Sequence, residues 1–161
     1  MAPRLPRHYM GDIYSEYPDN DTMKTIQLCA DGLSYPGFGD RHVLLQWENG
    51  PSKEGGSVIQ IIQLSGMPGN YAYYAPFAKA GLDGALTTHT FISLGQFTRA
   101  QRDRILELAN AVVFERTSVV NSCRTWTRDL LMAMVDEGLL ERSLFEEIDE
   151  TIPLLKRQAE V

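Results

Sequence analysis

Two residue types capable of covalent chemistry sit at informative places in this chain. Cys123 lies in NSCRTWTRDLL, one residue inside the expected start of a helix. Backbone N–H groups there have no intrahelical partner, and a helix end carries about half a positive charge. Both favour thiolate over thiol, and the thiolate is the nucleophile. Arg124 adds a cation next in sequence, placed either to bind a substrate carboxylate or to pair with an acidic side chain. A cysteine in an apolar helix also serves as a small buried hydrophobe, so position alone leaves both roles open. His42 opens a strand beside the glycine-rich loop SYPGFGD, where an imidazole is accessible and able to take a thiol proton. Its rival, His89, lies inside LTTHTFISL on the face of Thr87 and Phe91, which suits a core histidine better. His8 lies in the irregular start of the chain.

Three histidines at 8, 42 and 89, without HxxxH, HExxH or CxxC spacing, argue against a zinc site. No Walker loop, GxGxxG or GxSxG is present, so no cofactor is expected.

The elements that must position these groups follow from periodicity. Residues 1–23, rich in Pro, Asp, Asn and Tyr, read as an irregular arm, and 24–161 as one domain. Lys24–Ala30 alternates as a strand closed by an Asp31-Gly32 turn. Arg41–Glu48 and Gly56–Leu64 form the best hairpin, and Leu86–Leu94 reads as a third core strand. Residues 66–85 hold four Gly and two Pro, and predict a long lid or binding loop. Its tyrosines, Tyr71, Tyr73 and Tyr74, are spaced either to close over an apolar small molecule or to pin the loop by packing. Thr98 to Phe114 reads as an amphipathic helix capped by Thr98. A second helix starts near Asn121-Ser122, runs to about Glu137 and ends at Gly138, and Ser143–Glu150 forms a short third. Trp126, three residues after Cys123, falls on a stripe with Leu130 and Met134, which favours core over a ligand platform, while Arg128 and Asp129 face solvent. Strands before helices predict an α+β fold, an antiparallel sheet of about four strands against two or three helices.

Composition narrows the partners. Fifteen basic against 21 acidic residues give a net charge of −6, which argues against nucleic acid and anionic membrane surfaces. No apolar run approaches the roughly 20 residues of a membrane span, and the start MAPRLPRHYMGD lacks a secretory h-region. Two cysteines make no disulfide framework, so a cytoplasmic setting is expected. The oligomeric state is left open, a homodimer included.

The order histidine strand, strand, loop, strand, helix, cysteine helix resembles the circularly permuted branch of the papain-like NlpC superfamily, which includes the lecithin retinol acyltransferase proteins. In that branch the histidine strand precedes a helix opened by an NC-type motif, and NSCRTW matches it. GGSVIQIIQLSGMPGN together with NSCRTWTRDLLMAMVDEGLL is closer still to an uncharacterised domain family found mainly in fungi. The resemblance covers residues 40–140. It implies Cys123 as nucleophile, His42 as base and a polar orienter on the following strand, for which Gln60 and Gln63 are the candidates. A glutamine replaces the usual histidine there, and Arg124-Thr125 replaces the acidic and histidine residues after the cysteine. Acyl transfer or hydrolysis on a small or lipid-like molecule is the implied activity. The alternatives are a non-catalytic binding or accessory module, and small-molecule (secondary metabolite) biosynthesis by non-acyl chemistry in the same cleft. Tyr71, Tyr73, Tyr74, Arg124 and Trp126 are the candidate substrate contacts.

Overall fold

The computed structural model describes residues 11–31, 42–81, 89–152 and 154–161. Among the described residues, seven strands and three helices follow in the order β1 (Lys24–Asp31), β2 (Val43–Pro51), β3 (Ser57–Ile62), β4 (Ser65–Met67), β5 (Asn70–Ala72), β6 (Ala78–Ala80), β7 (His89–Phe97), α1 (Arg99–Ala111), α2 (Cys123–Asp136) and α3 (Arg142–Thr151). Five strands build one antiparallel sheet in the order β6-β3-β2-β1-β7, and β4 and β5 form a separate hairpin. The fold is α+β.

Alternation decides which face carries the helices. Ile26, Leu28 and Ala30 of β1 and Val43, Leu45 and Trp47 of β2 are all buried on one face. Ile105 and Ala109 of α1, Trp126, Leu130 and Met134 of α2, and Phe145 and Ile148 of α3 close over that face as one core. The opposite face is covered at the β3 side by a smaller cluster of Ile61 and Phe77, with Leu44, Ile59 and Tyr74 packed on it.

The helix ends fall where the sequence signals them. Thr98 and Gln101 cap α1 reciprocally, Thr98 Oγ1 accepting from the Gln101 N–H at 3.2 Å and Gln101 Oε1 from the Thr98 N–H at 2.8 Å. Ser122 caps α2, and beyond that helix Gly138 turns the chain with φ +74°.

Three expectations are corrected. Residues 66–81 are no open lid, because they form β4, β5 and β6 and are anchored by Tyr71, Phe77 and Ala78, each buried. Residues 82–85 of the expected loop lie outside the described residues. Of the strand expected at Leu86–Leu94, residues 86–88 lie outside the described residues and the rest falls in β7, His89–Phe97, an edge strand with Phe91 46% exposed, so His89 is half-buried rather than in the core. Period-two alternation identifies a strand but not its place in the sheet.

The arm also does more than dock tyrosines. Asp12 Oδ1 accepts from the Ala78 N–H at 3.0 Å, and the Ile13 N–H donates to the Ala78 carbonyl at 2.9 Å. The buried Asp19 carboxylate takes a two-point hydrogen bond from Arg102, at 2.8 and 3.0 Å, and another from Lys24 Nζ at 2.7 Å. Arg102 shares the apolar stripe of α1 with Ile105 and Ala109 and is fully buried, its remaining N–H groups donating to the carbonyls of Asn20, Thr22 and Phe97. Burial alone would raise the Asp19 carboxyl, but the bonds from Arg102, Lys24 and the Asn20 N–H outweigh it and hold it below its ordinary range.

Candidate active site

His42 and Gln63 meet at one end of the sheet. Strand β2 begins at Val43 where β3 finishes at Ile62, so His42 and Gln63 each stand one residue beyond their strands, side by side. His42 Nε2 lies 2.5 Å from Gln63 Oε1. A carbonyl oxygen only accepts, so Nε2 carries the proton and Nδ1 is the basic nitrogen of the neutral ring. The two side chains, with Ser65 and Gly66, line an open pocket of about 250 Å³.

Register separates the two glutamines. Gln60 lies opposite Trp47 on the helix face, fully buried, and its Oε1 accepts from Asn49 Nδ2 at 2.9 Å. Gln63, three residues on, belongs to the other side of the alternation and reaches the histidine. Gln60 is therefore corrected from candidate orienter to core residue.

Cys123 opens α2, and its side chain is buried within the core beneath the helices. The Ser122 hydroxyl takes the Arg124 N–H at 3.2 Å, which fixes where the helix begins. One turn on, the Thr127 hydroxyl contacts the carbonyl of Val43, the residue after His42, at 3.4 Å. A helical turn rises about 5.4 Å, so the first turn of α2 stands beside the start of β2.

The β4–β5 hairpin joins the pocket wall to the cysteine helix. Gly66 lines the pocket, while the Gly69 N–H donates to the Ser118 carbonyl at 2.8 Å and the Tyr71 N–H to the Arg116 carbonyl at 2.7 Å. Residues 116–118 lead into α2. Just past the hairpin, the Tyr73 ring meets that of Trp126, centroids 5.1 Å apart. A Cβ at Gly66, where φ is +103°, would stand 2.1 Å from the Asn70 carbonyl oxygen, so this wall requires glycine.

The expected aromatic lid divides between two cores. Tyr71 and Tyr73 pack in the main core, and Tyr74 packs on the small cluster across the sheet. They form no shared aromatic surface, and Trp126 is 1% exposed. Arg124 stays half-buried beside the cysteine. Arg128 is corrected from solvent-facing to bridging: it binds Asp149 at 2.9 and 3.1 Å and lies 5.4 Å from the Phe145 ring centre, tying α2 to α3.

The sequence reading missed Asp19 and Arg102. The available signal was a charged residue on the apolar stripe of α1, which demands a buried counter-ion. A larger cavity of about 450 Å³ lies at the opposite end of the sheet, among residues including Lys24, Gln27, Gln46 and Asn49, away from His42 and Gln63. Among the described residues no three His, Cys, Asp or Glu side chains gather as a metal requires, and no helix is long and apolar enough to cross a membrane. Comparison with protein-family models, curated proteins and solved structures finds no match to this chain.

Proposed function

We propose that the protein is a thiol-dependent acyltransferase or hydrolase acting on a small or lipid-like molecule. Cys123 is its nucleophile, His42 its base and Gln63 the residue that orients the histidine. The observation that carries this reading is the His42–Gln63 bond at the rim of a pocket whose wall is tied to the cysteine helix. With Nε2 held by Gln63, Nδ1 takes the thiol proton, and the start of α2 favours the resulting thiolate. The sulfur attacks the substrate carbonyl, and N–H groups at the helix start hold the oxyanion. Collapse breaks the bond to the leaving group, which receives the proton from imidazolium. Water or an acceptor nucleophile then releases the acyl group from the thioester. Glutamine orients by dipole without adding charge, the role a neutral amide plays in cysteine–histidine–asparagine sites.

Incubation with p-nitrophenyl butyrate tests this, by release of nitrophenolate and a butyryl adduct on the Cys123 peptide in mass spectra. Adduct formation that is lost in Cys123→Ala and slowed in His42→Ala supports the reading. No adduct and no turnover sinks it for activated esters.

A second reading, a binding module on the same fold, is favoured by one observation: Cys123 is only 5% exposed and is not among the described residues lining the His42 pocket. Non-acyl small-molecule chemistry in the cleft is the third reading. Saturable ligand binding that survives Cys123→Ala without turnover distinguishes the binding module.

A further inference from the structure

Asn121, two residues before Cys123, is buried and holds a strand of the chain's own backbone. Its Nδ2 donates to the Gln158 carbonyl at 2.8 Å, and its Oδ1 accepts from the Gln158 N–H at 2.8 Å. The second Nδ2 proton goes to Glu160 Oε1, also at 2.8 Å. All the donors of this side chain are thus spent on residues 158–160. One residue earlier in the segment, Arg157 Nε donates to Asp129 Oδ2 of α2 at 2.7 Å.

These contacts read the backbone and flanks of residues 157–160 in a definite pattern. A paired N–H and C=O on one residue is what any extended peptide offers, and an amide side chain matches it as a neighbouring strand would. Specificity comes from the flanks, a cation one residue before and a carboxylate two residues after.

The segment itself is weakly secured. Residues 155–161 are all exposed, so little apolar surface holds them, and segments of that kind open at small cost. When they lift, the Asn121 amide opens with its two donors and its acceptor available to another chain.

We propose that the surface along the first half of α2, from Asn121 to Asp129, is a recognition site for a peptide segment of the pattern Arg-x-x-Glu, and that residues 157–160 occupy it in cis. The binding site stands apart from the proposed activity. Only one consequence rests on it: Asn121 lies two residues before Cys123, so the seated segment should shield the thiol.

The test uses a fluorescein-labelled synthetic peptide, Leu-Lys-Arg-Gln-Ala-Glu-Val, and the chain shortened by residues 155–161. Fluorescence anisotropy should show saturable binding to the shortened chain, at least about tenfold tighter than to the full chain, where the cis segment competes. Asn121→Ala in the shortened chain should weaken binding about tenfold or more, since it removes three hydrogen bonds at once. No saturable binding to a shortened chain with an intact thermal transition overturns the proposal, as does an Asn121→Ala chain that binds equally well. Should the shortened chain fail to fold, the full chain carrying Gln158→Pro and Glu160→Lys lifts the segment without removing it, and the same binding is expected. Iodoacetamide should modify Cys123 faster in either opened form. Peptide binding with an unchanged alkylation rate overturns the shielding, and absence of esterase turnover in every form fails the activity instead.

Discussion

Gln63 accepts a 2.5 Å hydrogen bond from His42, whereas Gln60, three residues earlier within β3, is turned away into the core and held by Asn49. The two glutamines therefore separate the proposed orienter of His42 from a core residue. Gln63→Ala should leave the urea midpoint nearly unchanged, as half-exposed substitutions usually stay within about 0.5 kcal/mol, and should slow alkylation of Cys123. Gln60→Ala should cost about 1–3 kcal/mol, because a cavity opens and Asn49 loses its acceptor, and should leave the thiol rate alone. Equal effects of the two on the thiol rate would contradict the assignment.

The clasp between Asp19 and Arg102 should dominate the attachment of the arm. Asp19→Ala leaves the guanidinium of Arg102 buried without its counter-ion, and a loss of about 3–5 kcal/mol is expected in chemical denaturation. Asp19→Ala with Arg102→Met should recover part of that loss. A double variant no more stable than the single would contradict the clasp.

Acid should act through the same carboxylate. The Asp19 pKa is lower in the folded chain than in the unfolded one, so the unfolded chain binds this proton more readily. The stabilisation is complete above the ordinary carboxylate pKa of about 3.9 and fades as pH falls through the lower folded value. Urea midpoints measured from pH 6 down to pH 2.5 should fall less steeply in Asp19→Asn than in the native chain. Parallel curves would assign the acid sensitivity to other groups.

Gly66→Ala should damage the pocket wall. The added Cβ would meet the Asn70 carbonyl oxygen, and the backbone sits at φ +103°, so a destabilisation of about 1–3 kcal/mol is expected. Gly69→Ala, at φ +88° with open space around it, meets the strain without the collision and should cost less. The reverse order, read from thermal midpoints, would rule out the close approach at Gly66.

Local signals account for what the sequence made legible. Thr98, Ser122 and Gly138 act within one turn of their own residues, and each delimits a helix where expected. Lateral position was not legible, because alternation along β7 looks the same at an edge as at the centre, and His89 was misplaced for that reason. The fate of 66–81 depended on the pairing of β6 with β3 and on bonds from Gly69 to Ser118 and Tyr71 to Arg116, 49 and 45 residues away, which glycine and proline content does not report. Cys123 at a helix start and His42 before a strand were readable as positions, while their pairing is the proposal. The choice between Gln60 and Gln63 required the β2–β3 register, and Asn121 required the path of a segment 37 residues further on.

The pairing of Cys123 with His42 is the central claim, and the pH dependence of iodoacetamide alkylation at Cys123 tests it most directly, in native, His42→Ala and His89→Ala chains. The account predicts that His42→Ala lowers the rate at pH 6–7 by about tenfold or more and moves the profile toward that of an ordinary thiol near 8.5. His89→Ala, altering a half-buried residue of an edge strand, should leave the profile in place. A profile unmoved by His42→Ala, or one moved only by His89→Ala, would contradict the assignment of His42 as the base.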